Sequence, residues 1–367
     1  MILKEFEYTL FIKDLDGIEK ENWKLVSFNL SKINLIVGKN AIGKTKTLSY
    51  IMFLGQILSG KYPTPNPFNC KAVFLDNNNK KIIYSLKLSH NNLVLEESLV
   101  KNGEILIKRD ENEKNNVIYS EKYKKHITFK PPKNKLTVEV RRNEEEYPYL
   151  EELLYWGNNL YSFSFSGVPL YQLSNIPGYE ILFNDINKMI DIVKINPQED
   201  FKEVILADLN YIGYDIEDYF LDYDYSKIIL KERGFERFIS QFLMSAGMYR
   251  AFSILVIFNH YLRLKRSCTL IIDDLGEGLD FDRSSKLTRL LFDKVKDTDI
   301  QLIVTSNDRF LMNAVDLEYW NILDRKGHTV TSYNYENSRD TFEGFSFTGL
   351  NNFDFFALDF YKGEDND

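Results

Sequence analysis

The chain has 367 residues, of which 44% are hydrophobic, and it carries a formal net charge of −8. This length allows one large domain or two modest ones, while the acidic balance argues against nucleic-acid binding by bulk charge alone. The only two cysteines, Cys70 and Cys268, lie far apart, which excludes a disulfide framework or a zinc cluster. There is no signal-peptide core, and the longest apolar run, Ala251 to Leu262, is shorter than the ~20 residues of a spanning helix. We therefore expect a cytoplasmic protein with no membrane partner.

The first part of the chain has the pattern of strands followed by a helix. Apolar and polar residues alternate over the first forty residues, within which Ile33 to Val37 form a short apolar run that ends at Gly38. From Lys44 to Ser59 an apolar stripe predicts a helix, which the sequence KYPTPNP at 61–67 ends.

The middle of the chain looks β-rich at first and mainly helical afterwards. Turn signals separate the apolar runs of 71–141, and no heptad pattern is sustained over 149–240, so no long coiled coil is expected. The strands predicted here include 81–88, 93–97, 104–108 and 136–140.

A second α/β stretch begins near Phe235. Its pattern predicts helices at about 247–265 and 282–296, strands at 270–272 and 301–305, and a hairpin over 319–335. From Phe342 the chain is rich in aromatic residues, and it ends in the acidic sequence GEDND.

One motif stands at the junction of the first predicted buried strand and helix. The sequence from Gly38 to Thr45, GKNAIGKT, fits G-x-x-x-x-G-K-[ST] without a mismatch. Such a loop wraps backbone N–H groups around a β-phosphate at the positive end of the helix. Lys44 would reach the β- and γ-phosphates, and the Thr45 hydroxyl would bind Mg²⁺. The predicted nucleotide-binding set is Gly38, Lys39, Asn40, Ala41, Ile42, Gly43, Lys44, Thr45 and Lys46, with ATP and Mg²⁺ as cofactors.

A second motif ends the strand predicted at 270–272. Asp273 would hold Mg²⁺, and Asp274 would orient or deprotonate an attacking water, although a helix N-cap is the alternative for such an acidic pair. Glu277, three residues further on, is a rival for the role of catalytic base, and we favour Asp274.

These motifs resemble ABC-type ATPases, in particular the RecF branch of the SMC/ABC ATPases, which also carries two aspartates at this point. Leu279-Asp280 follows the acid pair at the spacing of the family's D-loop. Upstream, Ser245-Ala-Gly247 is similar to the family signature, Ser-x-Gly followed by a helix. Downstream, Asn307 follows a predicted strand where the family places its switch histidine. The resemblance covers roughly 1–60 and 235–325.

The resemblance implies an α/β fold of the P-loop NTPase class, an ABC-ATPase-like head with an inserted lobe of strands and helices. We expect 1–60 and 235–340 to form the nucleotide-binding core, 61–234 the inserted lobe, and 341–367 an aromatic segment with an acidic tail. No glutamine can be assigned to the family's Q-loop, and Met248 departs from the signature. Asp274 is one methylene shorter than the usual glutamate, and the Asn307 amide cannot take a proton. These departures favour slow, switch-like hydrolysis over fast turnover.

The family also suggests partners and several functions. Its heads sandwich ATP in at least a dimer, with Ser245 and Gly247 of one chain facing the γ-phosphate held by Lys44 of the other. Compact ATPases resembling the OLD and RecF groups commonly act in anti-phage defence beside a separate effector protein, which is our first hypothesis. A DNA-repair ATPase is the second, because 122–142 contains eight Lys and Arg residues, although we favour a solvated hairpin face as the explanation of that segment. A transporter subunit and a nucleotide-binding scaffold without turnover remain as alternatives.

Overall fold

A large mixed sheet dominates the fold. The computed structural model describes residues 1–13, 16–61, 67–76, 78–89, 93–111, 116–164, 188–222, 227–345 and 347–363. Within them, 14 strands form one sheet and three form a separate antiparallel sheet. The strands of the large sheet are β1 (Ile2–Lys13), β2 (Glu19–Asn29), β3 (Ile33–Val37), β4 (Phe68–Leu75), β5 (Lys81–Leu88), β6 (Val94–Lys101), β7 (Glu104–Asp110), β8 (Val117–Ser120), β9 (Lys125–Thr128), β10 (Leu160–Ser164), β14 (Cys268–Asp273), β15 (Ile300–Thr305), β16 (Trp320–Lys326) and β17 (Thr329–Asn334). Those of the small sheet are β11 (Ile216–Asp222), β12 (Lys227–Glu232) and β13 (Phe238–Ser240).

Helices cover both faces of the large sheet. They are α1 (Lys44–Leu58), α2 (Thr137–Val140), α3 (Pro148–Asn158), α4 (Lys188–Ile195), α5 (Glu199–Tyr211), α6 (Ala246–Leu264), α7 (Phe281–Val295), α8 (Arg309–Ala314), α9 (Arg339–Phe345) and α10 (Asn352–Ala357). In the part of the chain that the structure describes, no helix is both long and apolar enough to cross a bilayer.

Five parallel strands form the half of the sheet that carries the predicted motifs. Their order is β10-β14-β15-β3-β16, and each neighbouring pair is parallel. Every residue of β3, β14 and β15 is buried, as the continuous apolar runs predict. Because parallel strands end at one edge, the loops after β3, β14 and β15 meet there.

The other half of the sheet is antiparallel from β2 to β9. Strands β4 to β9, which come from the segment predicted as an inserted lobe, continue the sheet from β1. Strand β10 comes from the same segment but borders β14 at the opposite edge. The segment therefore contributes both edges of one sheet, while the domain boundaries themselves stay a prediction.

Alternate residues of the buried strands face two separate hydrophobic cores. In β14, Leu270 and Ile272 belong to the core under α6 and α7, whereas Ile271 belongs to the core under α1 and α3. The two cysteines are free and buried. Helices on both sides thus fix the central strands, and with them the loops at their carboxyl ends.

Most of the elements predicted around the motifs are confirmed, with small shifts at their ends. The predicted strand at 136–140 is wrong, because Thr137–Val140 forms a single helical turn. The buried Glu97 carboxylate accepts hydrogen bonds from the backbone N–H and the hydroxyl of Thr137, at 3.1 and 2.7 Å. Glu139 accepts from the N–H of Leu136 at 3.0 Å. These carboxylates satisfy the N–H groups of a helix start, which alternation in the sequence does not reveal.

Candidate functional site

The loop after β3 begins the site, and its shape requires glycine at Gly43. This residue has φ +111° and precedes α1 directly. A Cβ there would lie 2.2 Å from the ring of Trp23, a buried residue of β2. Backbone conformation and steric contact therefore both exclude a side chain, as expected of a phosphate-binding loop.

Lys44 lies across this loop. Its ammonium donates hydrogen bonds to the carbonyl oxygens of Gly38 at 2.8 Å and Lys39 at 3.4 Å. Burial lowers the pKa of Lys44, while the charges of Asp274 and Asp273 oppose this shift. The ammonium is thus held inside the loop, where a bound anion would favour its charged form.

Thr45 and Asp273 are brought together across the edge of the sheet. The Thr45 hydroxyl donates to Asp273 Oδ2 at 2.8 Å, and the Thr305 hydroxyl donates to Oδ1 at 2.5 Å. Asp273 is only 2% exposed. A hydroxyl and a carboxylate are oxygen ligands that suit Mg²⁺, so Thr45 and Asp273 fit the predicted metal site. Sequence reasoning missed Thr305, although it ends the strand parallel to β14 and its position could have suggested the contact.

Asp274 has a different environment from its neighbour. Its backbone takes φ +53°, and its N–H donates to the Thr305 hydroxyl at 2.8 Å. The side chain lines the pocket that contains Lys44. Burial raises the pKa of Asp274, and the negative charges of Asp273 and Glu277 raise it further. A half-buried carboxylate with a raised pKa is suited to accepting a proton.

Glu277, the rival base, points elsewhere. Its carboxylate pairs with Arg250 of α6 at 2.9 Å, and its side chain is 56% exposed. The buried Arg250 guanidinium also donates to the carbonyl oxygens of Asp274 at 2.5 Å and Asp273 at 3.4 Å. Arg250 therefore ties α6 to the acidic loop. Sequence reasoning did not single it out, because a lone arginine on a helix carries no signal.

The pocket at this edge has a volume of about 470 Å³ and is mainly polar. Of the predicted residues that do not line it, Gly38 accepts a hydrogen bond from Lys44, and the exposed Lys39 pairs with Asp359 at 3.4 Å. Ile42 packs on the core under α1. The residues lining the pocket are Asn22, Trp23, Asn40, Ala41, Gly43, Lys44, Thr45, Lys46, Asp274, Asn307 and Arg325.

Asn307 lies beside the phosphate-binding loop. Its side-chain amide donates to Asn40 Oδ1 at 2.9 Å, with the orientation of both amides set by the hydrogen-bond network. The structure thus brings the predicted switch residue into the same pocket as Lys44 and Asp274.

Ser245, Gly247 and Asp280 do not line this pocket. The Ser245 hydroxyl caps α6 by accepting from the N–H of Met248 at 3.2 Å, and Asp280 caps α7. Gly247 packs so closely on the acidic loop that a Cβ would lie 2.2 Å from the carbonyl oxygen of Gly278. Ser245 is exposed at the start of α6, whereas Gly247 is buried against the acidic loop.

Comparison with known protein families gives a match, which begins at β3 and ends within α8. Residues 33–313 match the family described as "AAA domain, putative AbiEii toxin, Type IV TA system". The chain belongs to this family. A search of curated proteins gives no match.

Solved structures support the same assignment at the level of the fold. The chain is similar to an SMC head bound to the C-winged helix domain of ScpA, with TM-score 0.54 and 13% identity over 90% of this chain and 97% of that one. It is also similar to an SMC head with an extended coiled coil bound to the C-terminal domain of ScpA, derived from Pyrococcus furiosus, with TM-score 0.52 and 11% identity over 94% and 99%. The predicted P-loop fold with an ABC-like head is confirmed. The longest described helix, α6, has 19 residues, so the described part contains no long coiled coil.

Proposed function

We propose that the chain is an ATP-driven switch of a bacterial antiviral defence system, hydrolysing ATP slowly and controlling a separate effector protein. One observation carries the nucleotide chemistry: Lys44, the Thr45–Asp273 pair and Asp274 converge on one edge of the sheet. The family to which the chain belongs is described as containing a toxin of a toxin–antitoxin system, which supports a role in such a two-protein system.

Each residue at this edge has a distinct part in the proposed reaction. Lys44 and the loop backbone bind the β- and γ-phosphates, and Thr45 and Asp273 would hold Mg²⁺, whose charge helps to neutralise them. Asp274 accepts a proton from the attacking water. Asn307 can donate a hydrogen bond but cannot relay a proton, which is consistent with slow turnover.

We also propose that two heads associate around ATP. Ser245 and Gly247 lie outside the pocket of their own chain, as they must if they approach the nucleotide of a second chain. The two similar SMC heads are each described as bound to a domain of ScpA, a separate protein. That comparison supports a separate protein partner here, whose identity the proposal leaves to experiment.

The basic segment at 122–142 gives little support to the alternative of a DNA-clamping ATPase. Lys122, Lys124, Lys135 and Arg142 pair with Glu145, Glu121, Glu139 and Glu151, at 3.5, 2.6, 2.8 and 2.7 Å. At least half of the eight cations therefore already pair with carboxylates of this chain, which reduces the charge available for a phosphate backbone. DNA-stimulated hydrolysis that disappears on neutralising Lys125 and Lys130 would favour the clamp instead.

The first test is Lys44→Ala. Titration with a fluorescent ATP analogue should show binding by the wild type and loss of binding by the variant, because the phosphates lose the ammonium inside the loop. Lys286→Ala, on the outer face of α7, is the matched control and should bind normally. Equal affinity of Lys44→Ala and wild type would contradict the assignment of the site.

A further inference from the structure

Trp23 lines the pocket that contains Lys44 and Asp274. It is only 3% exposed, and its ring lies against Gly43 at the start of α1. Its buried indole nitrogen has no hydrogen-bond partner among the described residues. The indole is therefore held by packing and exposes very little of its surface to a ligand in the pocket.

Two cations lie on this indole. The Lys46 ammonium is 4.1 Å from the ring centroid, and the Arg325 guanidinium carbon is 4.9 Å from it. Neither forms an ion pair with a carboxylate in the described part of the chain. Burial lowers the pKa of Lys46, and the charge of Arg325 lowers it further. Two like charges are thus held together at a site whose natural complement is a bound anion or an electron-rich ring.

Arg325 is the exposed member of this group, and its position is fixed. It lies on the hairpin between β16 and β17, where its Nε donates to the carbonyl oxygen of Gly327 at 2.7 Å. One of its terminal nitrogens donates to the carbonyl oxygen of Ala41, in the phosphate-binding loop, at 3.4 Å. With Trp23 behind it, the guanidinium lines the same pocket as Lys44.

We propose that Arg325 is the stacking platform for the base of the bound nucleotide, with Trp23 as its support. The inference rests on the proposed ATP binding. With the phosphates bound at Lys44, the rest of the nucleotide would extend along the same pocket, which Arg325 also lines. A guanidinium is planar and stacks on aromatic rings, whereas the Lys46 ammonium offers charge but no plane. Arg325 then contributes to base binding and leaves the phosphates to the loop.

The test compares two ligands of the full-length chain, ATP and inorganic tripolyphosphate, each with Mg²⁺, by calorimetric titration. Arg325→Lys keeps the charge and removes the plane. It should weaken ATP binding about tenfold and leave tripolyphosphate binding unchanged, since one stacked base contributes an effect of this order. Lys326→Ala, on the same hairpin, is the control and should bind both ligands normally.

The two ligands separate this inference from the proposed function. If the wild type binds neither ATP nor tripolyphosphate, the proposed function fails. If the wild type binds both and Arg325→Lys weakens both equally, Arg325 contacts phosphate and the platform is overturned. The platform is also overturned if Arg325→Lys binds ATP as tightly as the wild type does.

Discussion

Two neighbouring aspartates at the end of β14 occupy opposite chemical environments. Asp273 accepts hydrogen bonds from Thr45 and Thr305, so both of its oxygens are positioned by hydroxyl groups of other elements. Asp274 takes a left-handed backbone conformation, and its side chain turns into the pocket beside Lys44. This difference supports the proposed roles, with Asp273 as a ligand of the metal ion and Asp274 as the acceptor of a proton.

Asp274→Asn should bind ATP but hydrolyse it ~10²–10⁴-fold more slowly in single-turnover measurements, because an amide cannot accept the proton of the attacking water. Glu277→Gln should have a much smaller effect, since Glu277 pairs with Arg250 outside the pocket. The opposite ranking of the two variants would make Glu277 the base.

The pH dependence gives this comparison a second readout. Burial raises the pKa of Asp274, so this carboxylate takes up a proton at a higher pH than an ordinary aspartate does. As the pH is lowered, the rate of hydrolysis should therefore begin to fall at a higher pH than it would with an ordinary aspartate as the base. A raised carboxyl pKa also means that ionised Asp274 destabilises the folded state, and that this cost appears as the pH rises through the raised pKa. At neutral pH Asp274→Asn should therefore be at least as stable as the wild type, so its lost activity cannot be attributed to unfolding.

At the scale of elements, the start of α6 is packed against the acidic loop with no spare space. Gly247→Ala places a Cβ 2.2 Å from the carbonyl oxygen of Gly278, which is backbone and cannot rotate away. We expect it to lower the free energy of unfolding by about 1–3 kcal/mol, measured by chemical denaturation. The matched control is Gly344→Ala in α9, where a Cβ meets nothing within 4 Å. The same substitution there should stabilise the fold by about 0.5–1 kcal/mol, and equal effects at both positions would contradict the close packing.

The elements that carry the site could be predicted from the sequence because their signals are local. The apolar runs of β3, β14 and β15 end at recognisable motifs, and those strands are buried throughout. Strand β10 was not predicted, because Leu160–Ser164 owes its place to pairing with β14, more than a hundred residues later in the chain. The turn at Thr137–Val140 likewise depends on a distant carboxylate, Glu97. Long-range partners of this kind override local propensity.

Within the site, the sequence predicted the residues with chemical roles better than those that position them. Lys44, Thr45 and Asp273 are identified by motifs, and the structure brings them together. The Thr305 hydroxyl donates to Asp273 at 2.5 Å, and the Arg250 guanidinium donates to Glu277 at 2.9 Å. Both hydrogen bonds form only when separate elements pack together. The contact of Arg250 has no fixed spacing in the sequence, whereas that of Thr305 could be suggested only by its position at the end of a strand parallel to β14.

At the scale of the whole molecule, the phosphate-binding loop lines the pocket, whereas the start of α6 lies outside it. Lys44 lies in the pocket, whereas Ser245 is exposed at the N-terminus of α6 and does not line it. A single head therefore leaves Ser245 without a role in its own site. The proposed association of two heads would give it one, which makes this position the most direct test of that association.

Ser245→Arg should leave ATP affinity unchanged but prevent ATP-dependent association, because a long cation at the start of α6 would obstruct a second head. The Ser245 hydroxyl also caps α6, and losing that cap to a side chain that cannot replace it costs about 1 kcal/mol. Ser245→Ala is therefore the matched control, since it loses the same cap without adding bulk. Light scattering with a non-hydrolysable ATP analogue should show a doubled mass for the wild type and for Ser245→Ala, and a monomer for Ser245→Arg. Association of Ser245→Arg to the same extent would exclude this surface from the interface, and a monomeric wild type would show that ATP acts within a single head.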